Sequence, residues 1–451
     1  MWTMIPTLNV LVQDLAVVFT LPSFQTQYQL MLGWYMCLGA RSEYRVFETL
    51  QADQEVSRAQ RHPFDRFYNF FSRSAWTVED LAYRLALAIV LRLQPKDALN
   101  LMVDDTLLHK RGQHVYGLGW FRDAVASTKK RVATASGNNW VVLGLAVSVP
   151  LFPNHIFCLA LLARQHLGKG HPSCVALAKE MLNEVAALFP DRRLTLCGDG
   201  AYAAEGLLLD LDKRVTFVGR MRSDAAVYDV TPKPRKSKQG PAPKNGVRLP
   251  SPKEAAKRAD ENKTGQGPWP WQDVEVMAYG LKRTLQVLSY TAVWPSVLGL
   301  RHIQIVVVRD PEGRLEDTYL FTTDLDAALV WVVETFAKRW SIEVAFKASK
   351  QVMDIEGPQH WCQNSITKLA PWVWSMQSLL QLWYLTGGHA LPEADEERAL
   401  MGPWDSPCSL RHMLKVFRRA TLNATITRKS AQTADPSELL AALKNFILIA
   451  A

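Results

Sequence analysis

"LNLMVDDT", residues 99–106, marks the point at which the hydrophobic period of the chain changes. Upstream of it, "QLMLGWYMCLGARSEYRVFETL" and "WTVEDLAYRLALAIVLRL" repeat apolar residues at intervals of three and four, as amphipathic helices do, with Thr77 and Asp80 placed to start the second. From residue 99 the apolar runs shorten to strand length, at 99–106, 140–149, 155–163, 193–200 and 214–221. Helical patterns at 172–189 and 201–211 separate the last three. The order β-β-β-α-β-α-β predicts a mixed sheet, in which three consecutive strands are followed by right-handed crossovers. The apolar stretch 140–163 is long enough to span a membrane, but "PLFPNH" interrupts it, so it reads as two buried strands and a turn.

Working outward, residues 1–95 form a helical region in which "RAQRHPFDRFYNFFSRSAW" interleaves arginine with aromatic rings, a pattern shared by core packing and by DNA-contacting helices. Beyond the strands, residues 231–267 carry ten Lys or Arg against three acids, including Lys236 and Lys238. That composition predicts a mobile basic loop that tracks a polyanion. "DVEVMAYG", "RTLQVLSYTAVW", "RHIQIVVVRD" and "DTYLFTTD" then read as a β-rich insertion. "LDAALVWVVETFAKRWSIEVAFKASKQ" reads as one long helix, and "ITKLAPWVWSMQSLLQLWYL" as another that Pro371 interrupts or opens. The divisions are therefore 1–95 helical and DNA-binding, 96–222 first part of the core, 223–324 basic loop and insertion, 325–390 second part of the core, and 391–451 helical.

The chain has 52 Lys and Arg against 43 Asp and Glu, a formal charge of +9 that favours a polyanionic partner. Its six cysteines contain no C-x-x-C pair, which argues against a disulfide framework or zinc ribbon and for a reducing compartment. His166, His171 and Cys174 approach metal-ligand spacing without a second half-site. The N-terminus lacks a basic region followed by an uninterrupted apolar run and does not read as a signal peptide.

The isolated acids fall at telling places. Asp104 and Asp105 end the first strand, Asp199 follows the fourth, and Glu343 lies on the helix after the insertion. Strands one and four can be neighbours in such a sheet, an arrangement in which their acids converge and the later helix, packing across the sheet, supplies the third. Clustered carboxylates repel unless a cation neutralises them, and oxygen-only ligation suits Mg²⁺. Each acid also has a plainer reading: a turn cap at Asp105 or Asp199, and an ion pair with Arg339 or Lys347 for Glu343.

"VDDT", "CGDGAY" and "RWSIEVAFK" together resemble the three catalytic blocks of bacterial insertion-sequence DDE transposases of the Y-x2-R-x3-E-x6-K branch. Phe336, Arg339, Glu343 and Lys350 stand at the signature spacing, with Phe336 in place of tyrosine. The resemblance implies an α/β fold with an RNase H-like mixed-sheet core, an N-terminal helical domain, a β-rich insertion and a helical C-terminal region. It implies a catalytic, metal-holding triad of Asp105, Asp199 and Glu343, with Asp104 the substitute for Asp105. Two Mg²⁺ ions, or Mn²⁺ in their place, would serve cut-and-paste transposition by hydrolysis at the element's ends and attack of the 3′-hydroxyl on target DNA. Arg339, Lys350 and Phe336, with Lys236 and Lys238 of the loop, would contact DNA. The implied partners are double-stranded DNA, as terminal inverted repeats and target, and a second copy of the chain in a synaptic dimer or larger assembly. The implied location is the bacterial cytoplasm, at the nucleoid. The alternatives are an RNase H-like nuclease or resolvase, or a domesticated DNA-binding protein.

Overall fold

The computed structural model describes residues 2, 4–51, 64–94, 96, 98–128, 130–229, 246–261 and 268–432. Helices α1 (Pro6–Gln13), α2 (Leu21–Met36), α3 (Glu43–Gln51), α4 (Asp65–Ser72) and α5 (Val78–Leu93) precede the sheet. Thr77 starts α5 as its sequence implies, its hydroxyl accepting the Asp80 N–H at 3.1 Å. Next come β1 (Leu99–His109), β2 (Gly119–Arg122), β3 (Thr134–Ser148), β4 (Ile156–His166), α6 (Cys174–Leu188), β5 (Leu194–Gly198), α7 (Glu205–Leu208) and β6 (Val215–Arg220). The core order is β4-β3-β1-β5-β6, antiparallel across the first two pairs and parallel across the last two. This is the mixed arrangement expected of an RNase H-like core. β3 is buried continuously from 137 to 147, as a strand covered on both faces must be. The apolar stretch 140–163 is indeed two strands, and among the described residues no helix is long and apolar enough to cross a membrane. All six cysteines are unpaired.

α8 (Pro252–Glu261) leads into β7 (Gln272–Ala278), β8 (Leu281–Val293), α9 (Pro295–Leu298), β9 (His302–Arg309) and β10 (Thr318–Thr322). The inserted strands pair antiparallel in the order β7-β8-β9-β10, and β10 pairs with β6, so they extend the core into one ten-stranded sheet. Tyr279 and Gly280, at φ 55° and 76°, make the tight turn between β7 and β8. The basic segment is not a loop throughout. α8 buries Ala255 and Ala256, and "SPKE" at 251–254 starts it as a capping box, Ser251 N–H donating to Glu254 and Glu254 N–H to the Ser251 hydroxyl. Lys236 and Lys238 lie outside the described residues.

The expected single helix after the insertion is two, α10 (Leu329–Lys338) and α11 (Trp340–Gln351). Arg339 N–H donates to the Phe336 carbonyl at 3.1 Å and Ile342 N–H to that of Arg339 at 3.0 Å, a 3₁₀-type tightening between them. α12 (Gln363–Thr386) runs through Pro371 without stopping, held by packing on every side. Helices α13 (Pro392–Ala399) and α14 (Leu410–Gln432) follow.

The N-terminal helices share one hydrophobic core with the sheet and the helices that follow it. Trp34 packs edge-on against Trp372 of α12 with ring centroids 5.3 Å apart, and its indole donates to the Met353 carbonyl just after α11. The Tyr35 hydroxyl donates to the Met376 carbonyl. Arg41 N–H reaches the Asp354 carboxylate and Glu43 meets His360 in a buried pair, so the segment leaving α11 is fixed from the N-terminal side. Replacing Trp34 with alanine is expected to cost about 3–5 kcal/mol. Urea unfolding should show a lower midpoint with an unchanged m-value.

Candidate active site

Strand register decides which acids meet. β1 and β5 run parallel with Val103 opposite Gly198, so Asp104 and Asp199 leave neighbouring strands side by side. A Cβ at Gly198 would stand 2.9 Å from the Cβ of Tyr202, so the bare backbone there permits the turn that carries Asp199. The Asp199 carboxylate accepts the Ala201 N–H at 2.8 Å, which fixes that turn.

Asp104 and Asp105 are not at the end of β1 but inside it, and alternation sends them to opposite faces. Asp104 lies opposite Val142 of β3, on the face where Trp140 packs against Trp374 of α12. Its carboxylate accepts Arg339 Nη1 at 2.8 Å, and Arg339 Nη2 donates to Glu343 at 2.7 Å. One guanidinium thus bridges the strand acid to the helix acid, with Asp104 and Arg339 both largely but not fully buried, at 16% and 15% exposure. Asp105 faces the other way. It accepts the Asn139 amide at 3.2 Å and lies beside the Tyr202 hydroxyl and Cys174 at the start of α6. Arg339 thus joins Asp104 to Glu343, Asp199 on the neighbouring strand acts on both Asp104 and Asp105, and Asp105 itself lies on the opposite face of β1.

The other expected contacts are turned inward. Arg339 is the partner of Glu343, as the plainer reading of that acid has it, and of Asp104. Lys350 donates to the Leu107 carbonyl at 2.6 Å, tying α11 to β1. Phe336 is half-buried with its ring 5.7 Å from the Arg339 guanidinium carbon, so it supports the arginine. Lys347 is exposed and forms no ion pair with Glu343. Trp269 packs on Tyr290, and Trp271 lies under Arg309.

Burial, opposed by Arg339 and reinforced by Asp199 and Asp105, pushes Asp104 up to about 7. Burial also raises Asp105, against the Asn139 hydrogen bond. Such a pocket holds more negative charge than one arginine balances. Its donors are all carboxylate oxygens, a set that fits a hard divalent cation. Among the described residues no three acid, histidine or cysteine side chains stand close enough to hold an ion as they are, because the Arg339 guanidinium lies between Asp104 and Glu343.

The family described as DDE superfamily endonuclease matches residues 28–280, which include β1 and β5 with their acids. The chain belongs to this family. The match covers more than half of the DDE endonuclease but ends before α11, so Glu343 is placed by geometry alone. No curated protein matches the chain. Family membership makes the protein an enzyme of the nuclease and transposase type, with DNA as substrate and a general reliance on divalent metals.

Sequence reasoning passed over Asn139 and Tyr202, which hold Asp105. The signal was present in "GNNWVV", where two amides open an otherwise apolar strand and need buried partners. It also missed His109, whose ring sits between Asp123 at 3.0 Å and Glu356 at 3.1 Å.

The raised Asp104 has a consequence for stability. The folded protein keeps a proton that the unfolded chain releases near its ordinary value of about 4, so stability present at low pH is lost as pH rises through the folded value of about 7. Thermal melts of the metal-free protein should show Tm falling across that window, and Asp104→Asn should flatten the fall. Parallel profiles for the two proteins would show that Asp104 does not carry the shift.

Proposed function

We propose that this DDE endonuclease is a transposase that nicks DNA at the ends of its element and joins the freed 3′-hydroxyl to target DNA. The observation that carries the reading is the Arg339 bridge between Asp104 and Glu343, set beside Asp199. Asp104, Asp199 and Glu343 are the metal-holding triad, and Asp105 supports the strand from behind through Asn139. Two Mg²⁺ or Mn²⁺ ions, when bound, would activate the attacking oxygen and stabilise the leaving one.

The chain's own groups then do the positioning. Arg339 releases the two carboxylates and turns its planar fork to a phosphate, for which its geometry is suited. Phe336 braces the stem of that arginine. Lys350 holds α11 to β1 through the Leu107 carbonyl, which keeps Glu343 in line with the strand acids. Lys236 and Lys238 contribute positive charge that draws the polyanion in. Joining two ends requires at least two copies, so the working form is a homodimer or a larger synaptic assembly, acting in the cytoplasm on nucleoid DNA.

Purified protein should nick and join duplexes that carry the inverted repeats flanking its gene, in Mg²⁺ or Mn²⁺. Asp199→Ala and Glu343→Gln should each lower cleavage by more than about 100-fold while duplex binding persists. Cleavage by both variants at the wild-type rate would remove the triad. Cleaved ends that are never joined would support a nuclease or resolvase instead.

A further inference from the structure

The excursion between β1 and β3, residues 110–133, holds six Lys or Arg and one Asp. The acid does not neutralise its neighbours. Asp123 is turned inward, accepting the Val125 and Ala126 N–H groups at 2.9 and 3.1 Å and the His109 ring at 3.0 Å. Ser127 ties the same turn together by donating to the Asp123 carbonyl and accepting the Ala133 N–H. His109 also meets Glu356, just beyond α11, so the excursion is fixed to the strand and to the segment that follows the catalytic helix.

Within it β2 pairs with β3, placing Trp120 opposite Ser136 and Arg122 opposite Thr134. Ser136 and Val142 lie on one face of β3, and Val142 is opposite Asp104. Trp120 and Arg122 therefore share the sheet face of Asp104, while Phe121 points to the other side and packs on His166. Trp120 is 76% exposed. Arg111, Arg122, Lys130 and Arg131 are exposed as well, with no acidic partner among the described residues. His109 and Gly137, at the level of β2, lie five residues along β1 from Asp104, roughly 17 Å. A DNA strand advances about that far in five nucleotides at ~3.4 Å each.

We propose that the exposed face of β2, with Trp120 and Arg122 flanked by Arg111, Lys130 and Arg131, is a DNA-binding surface for the strand leading away from the acidic site. The arginines and lysine take phosphates, and the indole lies against a sugar or base. This rests on the reading of Asp104, Asp199 and Glu343 as the cleavage site, since that reading places DNA on the same face.

The test is binding of the full chain to a labelled 30-base-pair duplex and to its single strand, in EDTA, over a range of salt. Trp120→Ala should weaken binding by roughly 5- to 100-fold. The double variant Arg122→Ala with Arg131→Ala should reduce the slope of log K against log salt by about 2. Trp120→Phe, which keeps a ring, should retain most of the affinity, and Lys213→Ala, on an exposed turn elsewhere, should bind as wild type. A larger loss with the single strand assigns the ring to bases, and an equal loss to the backbone. Unchanged affinity and slope in folded variants would overturn the proposal. So would a change of mass in light scattering with unchanged affinity, which would make the face a contact between copies. A wild type that binds through this face but never nicks DNA would remove the catalytic reading and leave the surface standing.

Discussion

The geometry of the site depends on the ion bridge that Arg339 makes between a strand and a helix far apart in sequence. Asp104 sits within the central sheet and Glu343 near the start of α11, and one guanidinium, that of Arg339, pairs with both. Burying three charges together is costly, and removing the middle one would leave two carboxylates facing each other at a loss of about 3–5 kcal/mol. The bridge is also incomplete, because the Arg339 Nε–H is buried without an acceptor. An arrangement that is strong in charge yet unsatisfied in hydrogen bonding is one that a cation and a phosphate together can replace.

Everything around the bridge serves to hold its two ends at a fixed separation. The parallel pairing of β1 with β5 sets Asp199 beside Asp104, and Gly198 leaves room for the turn. Lys350 ties the far end of α11 to the Leu107 carbonyl. The segment after α11 is then clamped by Trp34, Arg41 and Glu43 from the N-terminal helices and by Lys110, which donates to the carbonyls of Glu356 and Pro358. The N-terminal region is thus part of the scaffold of the site, and the inserted strands widen the same sheet.

The strand order and the isolated acids it carries were legible in the sequence, because buried strands leave apolar runs in which an acid stands out. The choice between Asp104 and Asp105 was not. It depends on which face of β1 turns toward α11, and that is set by register with β3, a property of pairing between distant segments. The break at Arg339 was hidden because the residues on both sides favour helix. α8 was hidden for the opposite reason: the lysines and prolines around it masked a capping box whose Ala255 and Ala256 need little space to bury. β2 escaped notice because four residues with exposed Trp120 and Arg122 carry no apolar run.

The most direct test of the account is Mn²⁺ binding, followed by electron paramagnetic resonance, in Asp104→Asn and Asp105→Asn proteins alongside wild type. If Asp104 shares the site with Asp199 and Glu343, its variant loses Mn²⁺ affinity by more than about 100-fold while the Asp105 variant stays within about 10-fold of wild type. Loss in the Asp105 variant with retention in the Asp104 variant would contradict the assignment and return the site to the other face of β1.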